Sequence, residues 1–197
     1  MPANRFGATL VVALLPLLYA CAEPARTSGT AASAPVVQQE GNLFGDPGFE
    51  TAGADFAPWT LHLHADPESF EFKLDDEVAK EGERSLRITR RRDEPYASIT
   101  QRFPQSSFPS SRKMRLSAWV RGEGVMSPAR LYAGFFAFGG NAGEADSGAV
   151  VQGTFDWTRL SIEFELPRRV DALEAGVTVT GDGTVWIDGL ELVPLPD

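Results

Sequence analysis

Apolar residues recur at every second position along most of this chain beyond residue 58, and a period of two is typical of a β-strand. In "WTRLSIEFEL", residues 157–166, apolar Leu160 and Ile162 alternate with polar Arg159 and Ser161. The same alternation recurs in shorter runs on both sides of this segment. The pattern predicts ten strands, over residues 59–63, 69–74, 85–90, 96–103, 115–121, 130–138, 148–152, 157–166, 172–180 and 184–193.

Turn-forming residues separate the predicted strands. Gly, Pro, Asn and Asp cluster at residues 121–128, 139–148 and 181–183. No segment of ten residues has a helical period with caps, and residues 76–85 offer a single helical turn at most. Many short strands without helices pack as two antiparallel sheets. The sequence therefore predicts an all-β fold, a jelly-roll β-sandwich of two antiparallel sheets, over residues 42–197.

The N-terminus has the features of a bacterial export signal. One positive charge, at Arg5, precedes an apolar run over residues 8–20 that is too short to span a bilayer. Residues 18–21, "LYAC", resemble the lipobox of bacterial lipoproteins, whose cysteine is acylated. Cys21 is the only cysteine of the chain, so no intramolecular disulfide is available to it. We predict a lipoprotein signal peptide over residues 1–20 and lipidation of Cys21.

Two points of this N-terminal prediction stay open. The tripeptide "ACA" also fits ordinary signal cleavage after Ala22. In a bacterium with two membranes, Ala22 in place of an aspartate after the cysteine resembles lipoproteins sent to the outer membrane. The predicted localisation is export and lipid anchoring to the cell envelope, at the outer membrane.

The segment that follows the cysteine is small and polar. Residues 21–41 contain no apolar period and cannot bury enough surface to fold, so they are predicted to form a disordered tether. The formal net charge of the chain is −9, and a surface of this sign repels phosphate backbones. We therefore expect no nucleic-acid partner, and membrane contact only through the lipid.

The order of motifs resembles the jelly-roll carbohydrate-binding modules of families four, nine and twenty-two, which belong to the galactose-binding-like group. The resemblance covers nearly all of residues 42–197 and is most specific at its two ends. It implies binding of a poly- or oligosaccharide without catalysis. The motifs are, in order, "NLFGDPGFE" (42–50), Trp59, "EGERSLRI" (81–88), "ASITQRF" (97–103), "RLSAWVRGEG" (115–124), "FDWTRLSIEFELP" (155–167) and "VWIDGLELVP" (185–194).

The same resemblance implies a structural calcium ion (Ca2+) held by Glu50 and Asp188. Backbone carbonyls near residues 42–44 and 80–82 would complete the shell, and calcium prefers six to eight oxygen ligands. Two carboxylates alone are a weak metal signal, so the alternative is that both accept hydrogen bonds from backbone amides. Residues 42–50 are predicted to form the first strand, closing against the last, with Gly48 free to take a positive φ.

One predicted strand carries aromatic residues on the face opposite its core residues. In "RLYAGFFAF", residues 130–138, Leu131 and Ala133 have the sizes of core residues, whereas Tyr132 and Phe136 share the other face. Aromatic faces and hydrogen-bonding side chains on a concave surface are what sugar recognition requires. The resemblance and the strand parity together predict a carbohydrate site made of Trp59, Tyr96, Arg102, Arg130, Tyr132, Phe136, Phe138 and Gln152, with Val150 nearby.

Each of these residues also has a structural interpretation, because large aromatic side chains are usually well buried. Phe136 or Phe138 would then pack under the loop over residues 139–148, and Trp59 would close an end of the sandwich. We assign stacking to Trp59, Tyr132, Phe136 and Phe138, and hydrogen bonding to Arg102, Arg130 and Gln152.

Catalytic motifs are weak in this sequence. His62 and His64 lie at spacing two with Asp66 nearby, a pattern that can chelate zinc, but no third ligand is identifiable. No nucleophile elbow is present, and spacing identifies no pair of facing carboxylates. The predicted function is a non-catalytic, lipid-anchored carbohydrate-binding protein of the cell envelope. The alternatives are an interaction or structural module that binds another envelope protein, and, less favoured, glycan hydrolysis.

Overall fold

The structure, a computed structural model, describes residues 41–146 and 151–196. The predicted signal peptide over residues 1–20, Cys21, the tether through residue 40 and Val150 lie outside the described residues. Within the described residues, no helix is long and apolar enough to cross a membrane. The strands are β1 (Thr60–Leu63), β2 (Phe70–Asp75), β3 (Ser85–Arg90), β4 (Ala97–Pro104), β5 (Lys113–Ala137), β6 (Gly140–Asp146), β7 (Val151–Glu165), β8 (Ala172–Val179) and β9 (Thr184–Pro194), with a 3-10 turn at Gln105–Ser107.

Strand β5 belongs to both layers of the fold. Its first part, residues 113–123, pairs with β9 and β7, and its second part, residues 129–137, pairs with β8 and β6. The first layer therefore has the order β2-β3-β9-β5-β7 and the second the order β1-β4-β8-β5-β6, with every pair antiparallel. This arrangement confirms the predicted all-β jelly roll.

The core lies between the two layers and follows the predicted alternation. Leu131 and Ala133 of β5 are fully buried, as are Leu173 and Val177 of β8 and Ile99 of β4. Burying a side chain of this kind contributes about 2 kcal/mol. Odd-numbered residues face the core in β4, in β8 and in the second part of β5, residues 129–137. Even-numbered residues of these segments therefore face outward, and this parity positions the site described below.

Two predicted breaks are wrong. Residues 121–128 continue β5 through several β-bulges, and the ring of Phe155 fills the space where a Cβ on Gly122 would lie. Residues 140–146, predicted as part of a loop, form β6. This strand has the sequence "GNAGEAD" and lies at the edge of its layer, so it has no apolar alternation that a sequence pattern can detect.

Residues 42–50 are not a strand, although they run beside β9 as predicted. The amide of Leu43 donates to the carbonyl of Leu192 over 2.9 Å, and the amide of Leu190 donates to the carbonyl of Pro47 over 3.1 Å. Asp46 and Phe49 have positive φ angles, of 48° and 61°, whereas Gly48, which was predicted to be free to take one, does not. The Phe49 side chain is fully buried, so core packing offsets the cost of this conformation.

Candidate functional site

The outward side of the second layer forms a groove. Even-numbered residues of β4, of β8 and of the second part of β5 face it, together with residues of β1 and β6. Its volume is about 360 Å³, and pockets of a few hundred Å³ are the usual size for small-molecule sites. The lining residues are His62, Tyr96, Ser98, Tyr132, Glu144, Glu174 and Thr178.

Small residues make the floor of the groove. Ser98 and Thr100 are almost completely buried, and Gly134 lies on β5 between Tyr132 and Phe136. A Cβ on Gly134 would lie 2.1 Å from Oη of Tyr132, so the tyrosine side chain lies over the glycine along its own strand. The absence of a side chain at Gly134 therefore decides where the Tyr132 ring is placed.

Glu174 is the centre of the polar contacts in the groove. Its carboxylate accepts a hydrogen bond from Oγ1 of Thr100 over 3.1 Å and lies 3.3 Å from Nε2 of His62. Nη1 of Arg102 lies 3.5 Å from its other oxygen. Its side chain is only 16% exposed. These contacts hold Glu174 in one position, with the carboxylate directed along the floor of the groove.

The hydroxyl of Tyr132 is kept protonated by its surroundings. Partial burial, followed by the negative charges of Glu174 and Glu144, raises the pKa of Tyr132 above its usual value. The hydroxyl is therefore a hydrogen-bond donor at any physiological pH. Tyr132, His62 and Glu174 together present donors and acceptors next to an aromatic ring, which is the chemistry that a sugar hydroxyl needs.

The structure brings several of the predicted site residues to the groove. Tyr96 and Tyr132 line it. The Arg102 guanidinium lies 4.3 Å from the centre of the Phe136 ring, and this stacked pair stands on the same outward face. Arg130 is exposed on that face, opposite the groove residue Thr178.

The prediction that Trp59 stacks on a ligand is wrong. Its side chain is 4% exposed, and its ring lies 5.0 Å from the Phe44 ring and 5.2 Å from the Phe49 ring. Its Nε1–H donates to the carbonyl of Asp46 over 3.0 Å. The N-terminal segment covers this residue, so it cannot stack on a ligand, and the structural interpretation given above is the correct one.

Phe138 and Gln152 are not among the lining residues of the groove. Phe138 begins the turn between β5 and β6, has a φ of 55°, and is 85% exposed. Gln152 donates from Nε2 to the carbonyl of Met126 over 3.2 Å, next to the bulged part of β5. The strand parity placed Phe138 on the Tyr132 face, but the chain turns at this residue and the parity no longer applies.

Five lining residues were not predicted as carbohydrate contacts: His62, Ser98, Glu144, Glu174 and Thr178. The alternation in "ALEAGVTV" already turns Glu174 and Thr178 outward, so parity alone offered a signal for these two. His62 was considered as a zinc ligand with His64, yet His64 instead contacts Glu94 at 3.0 Å. Among the described residues, no group of three or more His, Cys, Asp or Glu side chains is arranged to hold a metal ion.

The two predicted calcium ligands both accept hydrogen bonds from one loop. Oδ2 of Asp188 accepts from the amides of Lys80 and Glu81, over 2.8 and 2.9 Å. Oε1 of Glu50 accepts from the amides of residues 83 and 84, over 2.9 and 3.1 Å. This is the alternative noted from the sequence. The loop presents amides, and not the expected carbonyls, to these carboxylates.

Asp188 nevertheless carries an unfavourable charge. It is fully buried, and burial raises its pKa to about 7, against the lowering effect of the amides of Glu81, Lys80 and Gly189. The nearby Glu81 carboxylate raises the pKa further. Buried negative charge of this kind is what a bound cation neutralises. However, Oδ1 of Asp188 accepts from the amide of Gly189 over 2.7 Å, so both Asp188 oxygens already accept amides, and the described amides at Glu50 all bond Oε1.

No family model matches this chain. In sequence it is similar to YbfP of Bacillus subtilis, which is described as an uncharacterised HTH-type transcriptional regulator, with 28% identity over 127 residues. The match covers 62% of this chain and 43% of that protein, so the chain spans less than half of the relative's length.

Solved structures of carbohydrate-binding modules share the fold. The CBM22-1 xylan-binding domain of Paenibacillus barcinonensis Xyn10C has a TM-score of 0.58 at 15% identity, over 76% of this chain and 92% of that one. The xylan-binding x6b domain of CBM 22 has a TM-score of 0.60 at 17% identity, over 79% and 96%. TmCBM61, solved with β-1,4-galactotriose, has a TM-score of 0.55 at 20% identity, over 78% and 99%. The jelly roll implied by the motifs is thus the fold of carbohydrate-binding modules.

Proposed function

We propose that this protein binds a carbohydrate in the groove and does not catalyse its cleavage. The observation that carries the proposal is the groove itself, in which Tyr132 lies beside the fixed carboxylate of Glu174 on the outward face of a carbohydrate-binding-module fold. Several modules of the same fold are known from their solved structures to bind glycans.

The binding mechanism follows from the groups in the groove. Tyr132 and Tyr96 offer aromatic surface to the C–H face of a sugar ring. The stacked Arg102–Phe136 pair stands on the same face, next to the groove. The Tyr132 hydroxyl donates to a sugar oxygen, and Glu174 accepts from a sugar hydroxyl. Because Thr100 and Arg102 already hold Glu174, little side-chain entropy is lost when the ligand binds.

Replacing Tyr132 with alanine tests this proposal. We expect glycan affinity to fall about tenfold or more, since aromatic anchors in a groove contribute about 1 to 3 kcal/mol. Binding is measured by calorimetry on the hits of a glycan array. The matched control is Phe138→Ala, which removes an aromatic ring outside the groove and is expected to keep the affinity. Equal loss in both variants, or no glycan bound by the wild type, contradicts the proposed site.

The location of the protein is a second part of the proposal. A lipid on Cys21 would anchor the chain to the cell envelope, at the outer membrane in a bacterium with two membranes, and the tether would carry the domain away from the bilayer. We expect Cys21→Ala to move the protein from the membrane fraction to the soluble fraction of cells. Mass spectrometry of the N-terminal peptide shows the lipid directly. An unmodified wild-type peptide that begins after Ala22 would contradict lipidation.

A structural calcium ion is the third part. Glu50 and Asp188 would supply two of its oxygen ligands, and the ion would neutralise the buried charge of Asp188. Its role would be to join the N-terminal segment, the loop over residues 80–84 and β9, and not to contact the glycan. The calcium dependence of the melting temperature tests this part, together with the Asp188 variants discussed below.

A further inference from the structure

Two carboxylates flank the same point of the groove. Gly134 of β5 pairs with Glu144 of β6 on one side and with Glu174 of β8 on the other. Neighbouring strands lie about 4.8 Å apart, so the two glutamate backbones are separated by about 10 Å with only a glycine between them. Both side chains line the groove. A sugar ring above Gly134 would therefore have a carboxylate on each side.

Positive charge near this point lies on the Glu174 side of the groove. Arg102 forms an ion pair with Glu174 at 3.5 Å and stacks its guanidinium on the Phe136 ring, and Nε2 of His62 lies 3.3 Å from the same carboxylate. Glu144 is exposed and forms no ion pair with any side chain that the structure describes. Arg130 lies four residues before Gly134 along β5 and pairs with Thr178, away from the two carboxylates. The Tyr132 hydroxyl, which lies above Gly134, experiences both carboxylate charges.

We infer that the groove selects glycans by charge and prefers a sugar that carries a protonated primary amine, such as an amino sugar without its N-acetyl group. This inference rests on the proposed function and specifies its ligand class. An ammonium group has three hydrogen-bond donors and no acceptor. In this groove it can donate to the carboxylates of Glu144 and Glu174, one on each wall, and to the hydroxyl oxygen of Tyr132. An N-acetyl group removes this charge, and a uronic acid adds a third negative charge to the groove.

The test compares three oligosaccharides of equal length with the purified full-length protein: glucosamine, N-acetylglucosamine and galacturonic acid hexamers. We expect the glucosamine hexamer to bind about five- to tenfold tighter than its N-acetylated counterpart at low salt, as one partly buried charge pair allows. The preference should shrink as salt is added, because screening weakens the charge term. Glu144→Gln should remove most of the preference.

The matched control is Glu163→Gln, which removes the same charge from an exposed position on β7, in the other layer. This variant is expected to keep the full preference. If Glu163→Gln lowers the preference as much as Glu144→Gln does, the attraction is a property of the net charge and the inference is overturned. Equal binding of the acetylated and amino forms, or tighter binding of the galacturonic acid form, overturns the inference but leaves glycan binding intact. If neutral glycans also fail to bind, the proposed function fails.

Discussion

Replacing Trp59 with alanine is expected to lower the free energy of unfolding by about 3 to 5 kcal/mol, the usual cost of removing a buried tryptophan. The ring is packed between Phe44 and Phe49, and its Nε1–H satisfies the carbonyl of Asp46. Its removal leaves a cavity under the N-terminal segment and an unbonded carbonyl. Urea unfolding followed by circular dichroism measures the change.

A second substitution separates packing from ligand binding. Trp59→Phe keeps most of the apolar volume and loses the hydrogen bond, so we expect a smaller loss, on the order of 1 to 2 kcal/mol. The folded Trp59→Phe protein should bind glycan as tightly as the wild type. An unchanged urea midpoint in Trp59→Ala, or a selective loss of glycan binding in Trp59→Phe, would indicate that Trp59 contacts the glycan and is not a core residue.

Replacing Asp188 with alanine should have the next largest effect, a loss on the order of 3 kcal/mol, because it leaves buried amides without an acceptor. The affected amides belong to Lys80, Glu81 and Gly189. Asp188→Asn keeps one carbonyl acceptor without the charge, so it should cost less than the alanine. Equal losses in the two variants would show that hydrogen bonding to this loop is not what Asp188 contributes.

The pH dependence of stability is a separate readout for Asp188. Its pKa in the folded protein is about 7, above the usual value of 3.8, so the folded state binds this proton more tightly than the unfolded state. The stability contributed by that proton is therefore present below about pH 4 and is lost as the pH rises towards 7, by a few kcal/mol, in a calcium-free buffer with chelator. Asp188→Asn should lose this slope. Calcium, if it binds here, should raise the melting temperature of the wild type and reduce the slope, and should do neither in Asp188→Asn.

Strand parity accounts for the part of the site that was predicted correctly. Tyr132 and Arg102 could be placed outward because their strands alternate regularly between core and solvent, and Tyr96, one residue before β4, lines the same groove. Parity failed at Phe138, where the chain turns, and at Trp59, which precedes β1 and lies under a segment without strand geometry. A periodic pattern describes only residues inside a strand, so residues just beyond its ends are not covered by it.

The neighbours of each strand could not be read from local patterns. His62 and Glu174 are 3.3 Å apart, but they lie on β1 and β8, and β4 pairs between these two strands. Likewise, Glu144 and Glu174 flank Gly134 only because β6 and β8 both pair with β5. These pairings connect segments far apart in sequence, and they are chosen by the packing of the whole core.

Local sequence was sufficient for the all-β class and for the core faces of β4, β5 and β8, because each depends on side-chain periodicity within one short segment. The closure of residues 42–50 against β9 was implied only by the resemblance of the two end motifs to carbohydrate-binding modules. The groove, its two opposed carboxylates and the burial of Trp59 depended on the tertiary structure, because each requires side chains from three or more separate segments to meet. The same long-range pairing places an acidic pair around a glycine, and this pair is the basis of the proposed preference for amino sugars.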